Sequence, residues 1–162
     1  MKTLSSEELF NIAIGIEHRG IAFYDSLARS TEDPGTREVF KNLVKMERRH
    51  IHIFQDMLAE SEKYETAAAH ADDHAEYINA LADTAVFTEE SITSEITAAV
   101  DNPIKALELG IGAEKDSILF YYEMKEVIPK SGHSAVSRIL NEEKTHLRLL
   151  SDLKRKLLAI KG

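Results

Sequence analysis

Two segments of the sequence place a histidine three residues after a glutamate: Glu47–His50 and Glu143–His146. Residues three apart share one face of a helix, so each pair can present a carboxylate and an imidazole to one point. Carboxylate oxygens with imidazole nitrogens suit iron or manganese. A single match of this kind is ordinary in a Glu-rich chain with seven His. What gives the pairs meaning is where they fall. Glu47 and His50 interrupt an apolar seam of Phe40, Leu43, Phe54 and Met57. Glu143 and His146 interrupt a second one, of Val136, Ile139, Leu150, Leu153 and Leu157. Alternating steps of three and four keep such residues on one helix face, and that face should be the core.

Two further seams carry a lone glutamate. One runs Phe10, Ala13, Glu17, Ile21, Tyr24, Ala28, and the other runs Ile104, Leu107, Ile111, Glu114, Ile118, Tyr121. Burying an ionised carboxylate costs several kcal/mol unless it is paired or bound to metal. Four carboxylates at similar depth repel one another, and two imidazoles cannot neutralise them. Two divalent cations can. One Glu from each of two helices and Glu-x-x-His from each of the other two is the arrangement of di-iron carboxylate bundles. The expected metal ligands are therefore Glu17, Glu47, His50, Glu114, Glu143 and His146.

An internal repeat agrees. Tyr24 follows Glu17 by seven residues, as Tyr121 follows Glu114, and the two Glu-x-x-His elements recur at nearly the same separation. The chain reads as two copies of one helical hairpin about a pseudo-twofold axis. Each metal would then have one terminal Glu and one His, with two Glu bridging. Tyr24 and Tyr121 fit two roles equally, core aromatics or hydrogen-bond donors to a ligand carboxylate.

The elements that must position these residues are legible. Ser5 with Glu8 forms a capping box, and the first helix should run to Arg29 or Ser30. Asp33 caps and Pro34 opens a second helix, to about Glu62. Asn102 and Pro103 repeat that start signal for a third long helix ending before Pro129. Lys130-Ser131-Gly132 reads as a break, with the fourth helix over Ser134 to Ile160. Between the hairpins, about 5–62 and 103–160, the connection at about 64–100 carries a helix near Ala67–Ala85, and Thr88–Val100 reads as a short helix or a series of helical turns. Two tight helix pairs joined by one long crossover make an all-α, ferritin-like antiparallel four-helix bundle, expected as a single domain over 1–162.

Composition narrows the classes. The 162 residues include no Cys, which excludes disulfides, thiolate metal sites and iron–sulfur clusters within this sequence. Seven Gly and three Pro suit a helical chain. The net charge of −8, with no basic stripe, argues against nucleic-acid binding. No stretch approaches a membrane span, and the residues after Met1 do not read as a signal peptide, so a cytoplasmic protein is expected. His18 and His52 should point away from the core, His133 sits by a turn where it can cap, and Glu108 lies off its seam. His70 and His74 read as a solvated face rather than a surface metal site.

These residues resemble the rubrerythrin-like branch of the ferritin-like superfamily, over nearly the whole chain. The resemblance implies a di-iron centre that reacts with hydrogen peroxide or dioxygen. By matching position, it makes Glu17 and Glu114 terminal ligands, Glu47 and Glu143 bridges, and His50 and His146 the nitrogen ligands of the two irons. There are two departures. Better-known rubrerythrins carry a further carboxylate three residues after the third-helix Glu, where this chain has Ser117. They also carry a Cys-bound iron domain, which this Cys-free sequence lacks. The remaining six-ligand set is that of bacterioferritins and related ferroxidases.

The leading expectation is a non-haem di-iron oxidoreductase, with two iron ions as cofactor and manganese or zinc as substitutes. Its reductant would be a small electron-transfer protein or another external donor. A homodimer is expected, with no nucleic-acid or membrane partner. The alternatives are a ferroxidase that handles iron at the same ligands, and a non-catalytic bundle braced by its metals.

Overall fold

A computed structural model describes residues 4–64 and 72–162. Four long helices dominate: α1 (Ser6–Ser30), α2 (Pro34–Ala59), α5 (Pro103–Val127) and α6 (Lys130–Lys161). A 3-10 turn at Ser61–Tyr64 and two short helices, α3 (Asp72–Asp83) and α4 (Ile92–Val100), occupy the crossover. The described residues contain no strand. No described helix is long and apolar enough to cross a membrane.

Local chemistry sets the starts of three long helices. The Ser5 side chain accepts from the Glu8 N–H, and the Glu8 carboxylate accepts from the Ser5 N–H at 2.8 Å. Asp33 accepts from the Thr36 N–H at 2.6 Å, and Asn102 from the Lys105 N–H at 3.1 Å, each with Pro at the next position. Such side-chain acceptors satisfy backbone donors that the helix leaves open. Tight turns then fold α1 against α2, and α5 against α6, as antiparallel hairpins.

Four boundaries differ from the sequence reading. α2 ends at Ala59 and tightens into the 3-10 turn instead of continuing to Glu62. The short crossover helix begins at Ile92, because Thr88 and Ser91 bond each other in a turn ahead of it. Of the helix expected at Ala67–Ala85, Asp72–Asp83 is helical, and residues 65–71 lie outside those described. The largest difference is α6, which starts at Lys130, so Gly132 is helical and breaks nothing. Its role is close approach: a Cβ there would meet Ile128 Cδ1 at 2.9 Å and the Tyr64 ring at 3.0 Å. His133 Nε2 lies 3.0 Å from the Ile128 carbonyl, closing the end of α5.

The buried apolar residues fall into two clusters. One holds Phe10, Phe54, Phe120, Tyr121 and Ile139, and the other holds Phe23, Tyr24, Phe40, Leu107 and Leu150. In every long helix the polar seam residues lie between the parts that feed the two clusters. The crossover completes both. Ile78 of α3 joins the first, and Phe87 joins the second, its ring centroid 4.5 Å from that of Phe23. This cover explains why Phe23 and Phe120, off the sequence seams, are fully buried.

Candidate metal centre

Glu17 comes from α1, Glu47 and His50 from α2, Glu114 from α5, and Glu143 and His146 from α6. All six are buried, none more than 3% exposed. The bundle brings every sequence-predicted ligand to one layer, midway between the two apolar clusters.

Two overlapping groups result. Ligand atoms of Glu17, Glu47, His50 and Glu143 lie within 4.8 Å of one another, as do those of Glu47, Glu114, Glu143 and His146. Glu47 and Glu143 belong to both, each presenting one oxygen to each imidazole. Glu47 Oε2 is 3.0 Å from His50 Nδ1, and Glu47 Oε1 is 3.1 Å from His146 Nδ1. Glu143 Oε1 and Oε2 lie 3.0 Å from the same two nitrogens respectively. Glu17 approaches only His50 and Glu114 only His146, both at 3.6 Å. The imidazole rings lie 5.8 Å apart and nearly parallel, at 20°.

These contacts are close but poorly aligned. Both oxygens of Glu143, Glu47 Oε2, and the Nδ1 atoms of His50 and His146 are buried without a hydrogen-bond partner. Atoms that converge without bonding to each other point at shared centres instead. Buried polar groups are almost always satisfied, so a cluster of orphans calls for an unplaced ion or water. Oxygen and imidazole donors in two four-residue groups fit a pair of divalent cations.

Electrostatics gives the same demand for positive charge. With no cation, burial raises the carboxyls of Glu17 and Glu114 to about 8. The Glu47 charge adds to the shift for Glu17, and the Glu143 charge for Glu114. Burial alone would lower both imidazoles, but the surrounding carboxylates outweigh it. They push His146 up to about 12 and raise His50 as well. The metal-free cluster holds protons in place of cations.

The two tyrosines act as donors and as core aromatics at once. Tyr24 OH donates to Glu114 Oε1, and Tyr121 OH donates to Glu17 Oε1. Burial, with the adjacent carboxylate charge, raises both phenols well above 10, so they remain protonated donors. His18, His52 and Glu108 are exposed, as their places off the seams required. His74 pairs with Glu123 at 3.2 Å, while His70 lies outside the described residues.

Sequence reasoning missed two features. Glu142 Oε2 lies 3.0 Å from His50 Nε2, on the side of the ring away from the other carboxylates. The Glu142-Glu143 doublet was its only signal. The second is a cavity of ≈ 30 Å³ that reaches Glu17, Glu47 and Glu114 beneath Phe87. Gly20 and Ser117 are in its wall. Ser117 is 8% exposed, and a Cβ at Gly20 would meet nothing within 4 Å.

The arrangement has known counterparts. A crystal structure from Thermotoga maritima, of a protein described as ferritin-like and diiron-carboxylate, superposes with a TM-score of 0.69 at 28% identity. That match covers 96% of this chain and 97% of the other. Among curated protein sequences, none matches. The rubrerythrin family model matches residues 8–154, which takes in all four long helices and both Glu-x-x-His elements. A bundle of this kind, matched over nearly its whole length, places the chain in the rubrerythrin family.

Proposed function

We propose that the protein is a non-haem di-iron oxidoreductase that reduces hydrogen peroxide or dioxygen. The observation that carries this reading is the set of orphaned ligand atoms converging on two adjacent centres. Glu47 and Glu143 would bridge, Glu17 and His50 would complete one position, and Glu114 and His146 the other. When bound, two ferrous ions supply one electron each to a small oxidant, and an external reductant, such as a small electron-transfer protein, restores them.

The chain's own residues do the rest. Tyr24 and Tyr121 hold the two outer carboxylates in orientation through their hydroxyl protons. The two apolar clusters keep bulk water from both ends of the centre. The cavity lined by Gly20 and Ser117 offers space on the scale of one or two water molecules beside Glu17 and Glu114. That size supports a two-oxygen oxidant over an organic substrate.

One observation favours a second reading. Ser117 stands in the cavity wall where better-known relatives have a further carboxylate, leaving the six-residue set associated with ferroxidases. Iron oxidised there would be released, and a large assembly would accompany that role, whereas a dimer suits the redox enzyme.

The test is iron content together with rapid mixing. Anaerobically reduced protein with about two irons per chain should be oxidised faster by peroxide than by oxygen. Faster reaction with oxygen, with ferric iron leaving the protein, would select the ferroxidase reading. Iron-free protein from iron-replete medium would sink both.

A further inference from the structure

The two halves of the centre are not equivalent. His50 is held from behind: its Nε2 lies 3.0 Å from Glu142 Oε2, and the Arg49 guanidinium reaches that same oxygen at 3.5 Å. An Nε2–H donated to Glu142 makes Nδ1, aimed at Glu17, Glu47 and Glu143, the nitrogen a cation would take once its proton is displaced. His146 aims its Nδ1 at Glu47, Glu114 and Glu143 over closely similar distances. Its Nε2, however, is buried with no hydrogen-bond partner.

The internal repeat explains the difference. Glu142 immediately precedes the Glu of the second Glu-x-x-His element, and the residue in that place in the first element is Met46. Met46 is half-buried and offers a thioether, a weak and uncharged acceptor. Arg49 likewise has Thr145 as its counterpart. One hairpin therefore provides a charged backing for the other's imidazole, and the favour is not returned.

A ring N–H donated to a carboxylate fixes the tautomer and orientation of a ligating imidazole and makes its other nitrogen more basic. We propose that the two metal positions differ in affinity. The position served by His50, with Glu142 behind it, fills first. The position served by His146 fills second and releases its ion first. Glu142 is a positioning residue, acting through His50 without touching the metal. This assignment rests on the dinuclear reading of the site and deepens it, since a chain in limited metal would carry a single ion on the His50 side.

Cobalt(II) titration of the metal-free protein tests it, followed by ligand-field absorption and calorimetry. Wild type should bind two ions in two steps, separated by about 10- to 100-fold in affinity. Glu142→Ala should bring the tight step down toward the weak one. Glu142→Gln, which keeps an acceptor oxygen, should fall between. Met46→Glu should raise the weak step toward the tight one, a gain that no merely structural role for Glu142 predicts. Circular dichroism of the metal-free variants confirms that each is folded. Two ions bound in wild type with equal affinity would overturn the proposal and leave the dinuclear site standing. Unchanged constants in both Glu142→Ala and Met46→Glu would do the same. No cobalt bound to wild type would overturn the dinuclear reading and this proposal with it.

Discussion

Tyr121 on α5 donates its phenolic proton to Glu17 on α1, and Tyr24 on α1 donates its own to Glu114 on α5. The pair crosses the boundary between the hairpins in both directions and ties each outer carboxylate of the site to the opposite half of the repeat. Removing either hydroxyl leaves a buried carboxylate oxygen short of a donor. Tyr121→Phe should therefore lower stability by about 1–3 kcal/mol. Tyr24→Phe should cost a similar amount. Urea denaturation of metal-free protein reads the effect, and an unchanged midpoint in both variants would show that the bonds contribute nothing net.

Metal-free protein should lose stability as pH rises. The folded carboxyls of Glu17 and Glu114 titrate near 8, above the ordinary carboxyl value of 4.5. His146 is likewise raised, from 6.5 to about 12. For each group the folded state binds more protons than the unfolded chain, so stability falls with rising pH. The carboxyl contribution is fully present below about pH 4.5 and is lost as pH passes 8, while the His146 contribution declines from about 6.5 upward. Thermal melts of chelator-treated protein at pH 5, 6.5 and 8 should show a falling midpoint. A midpoint that climbs over that range would contradict the sign.

Metal should reverse that loss, and Glu47 should be required for it. A ligand at a hundred times its dissociation constant stabilises by about 2.7 kcal/mol. Wild type in excess cobalt at pH 8 should gain on this scale. Glu47 offers one oxygen toward each imidazole, so Glu47→Ala disturbs both positions. In that variant the gain should fall below about 1 kcal/mol, measured as the shift in unfolding midpoint with and without the ion.

Two helical glycines should respond to alanine with opposite signs. At Gly20 an added Cβ meets nothing within 4 Å, so Gly20→Ala should stabilise by about 0.5–1 kcal/mol through helix propensity. At Gly132 the Cβ meets Ile128 at 2.9 Å and the Tyr64 ring at 3.0 Å. Overpacking of that kind costs about 1–3 kcal/mol, so Gly132→Ala should be net destabilising. Chemical denaturation of the two variants side by side decides it.

Much of this molecule is local in origin and could be read along the chain. Ser5 with Glu8, Asp33 with Pro34, and Asn102 with Pro103 are start signals whose partners lie within three residues. Glu17, Glu47, His50, Glu114, Glu143 and His146 were visible because charge on an apolar helical face is costly wherever the helix packs. Periodicity and side-chain chemistry suffice for both.

Other features depend on which surfaces meet, and that is invisible to a periodic pattern. Phe23 and Phe120 are buried because the crossover covers the outer faces of α1 and α5. Gly132 reads as a breaker until Tyr64, distant in sequence, is found against it. Glu142 looks like a surface neighbour of Glu143 until the packing of α6 on α2 brings it to His50 Nε2. The inequality between the halves of the centre arises in the same way. The repeat sets the six candidate ligands in near-symmetric places, while the contact between helices gives a carboxylate to one imidazole and leaves the other's Nε2 without a hydrogen-bond partner, because a long-range hydrogen bond exists only where two surfaces are pressed together.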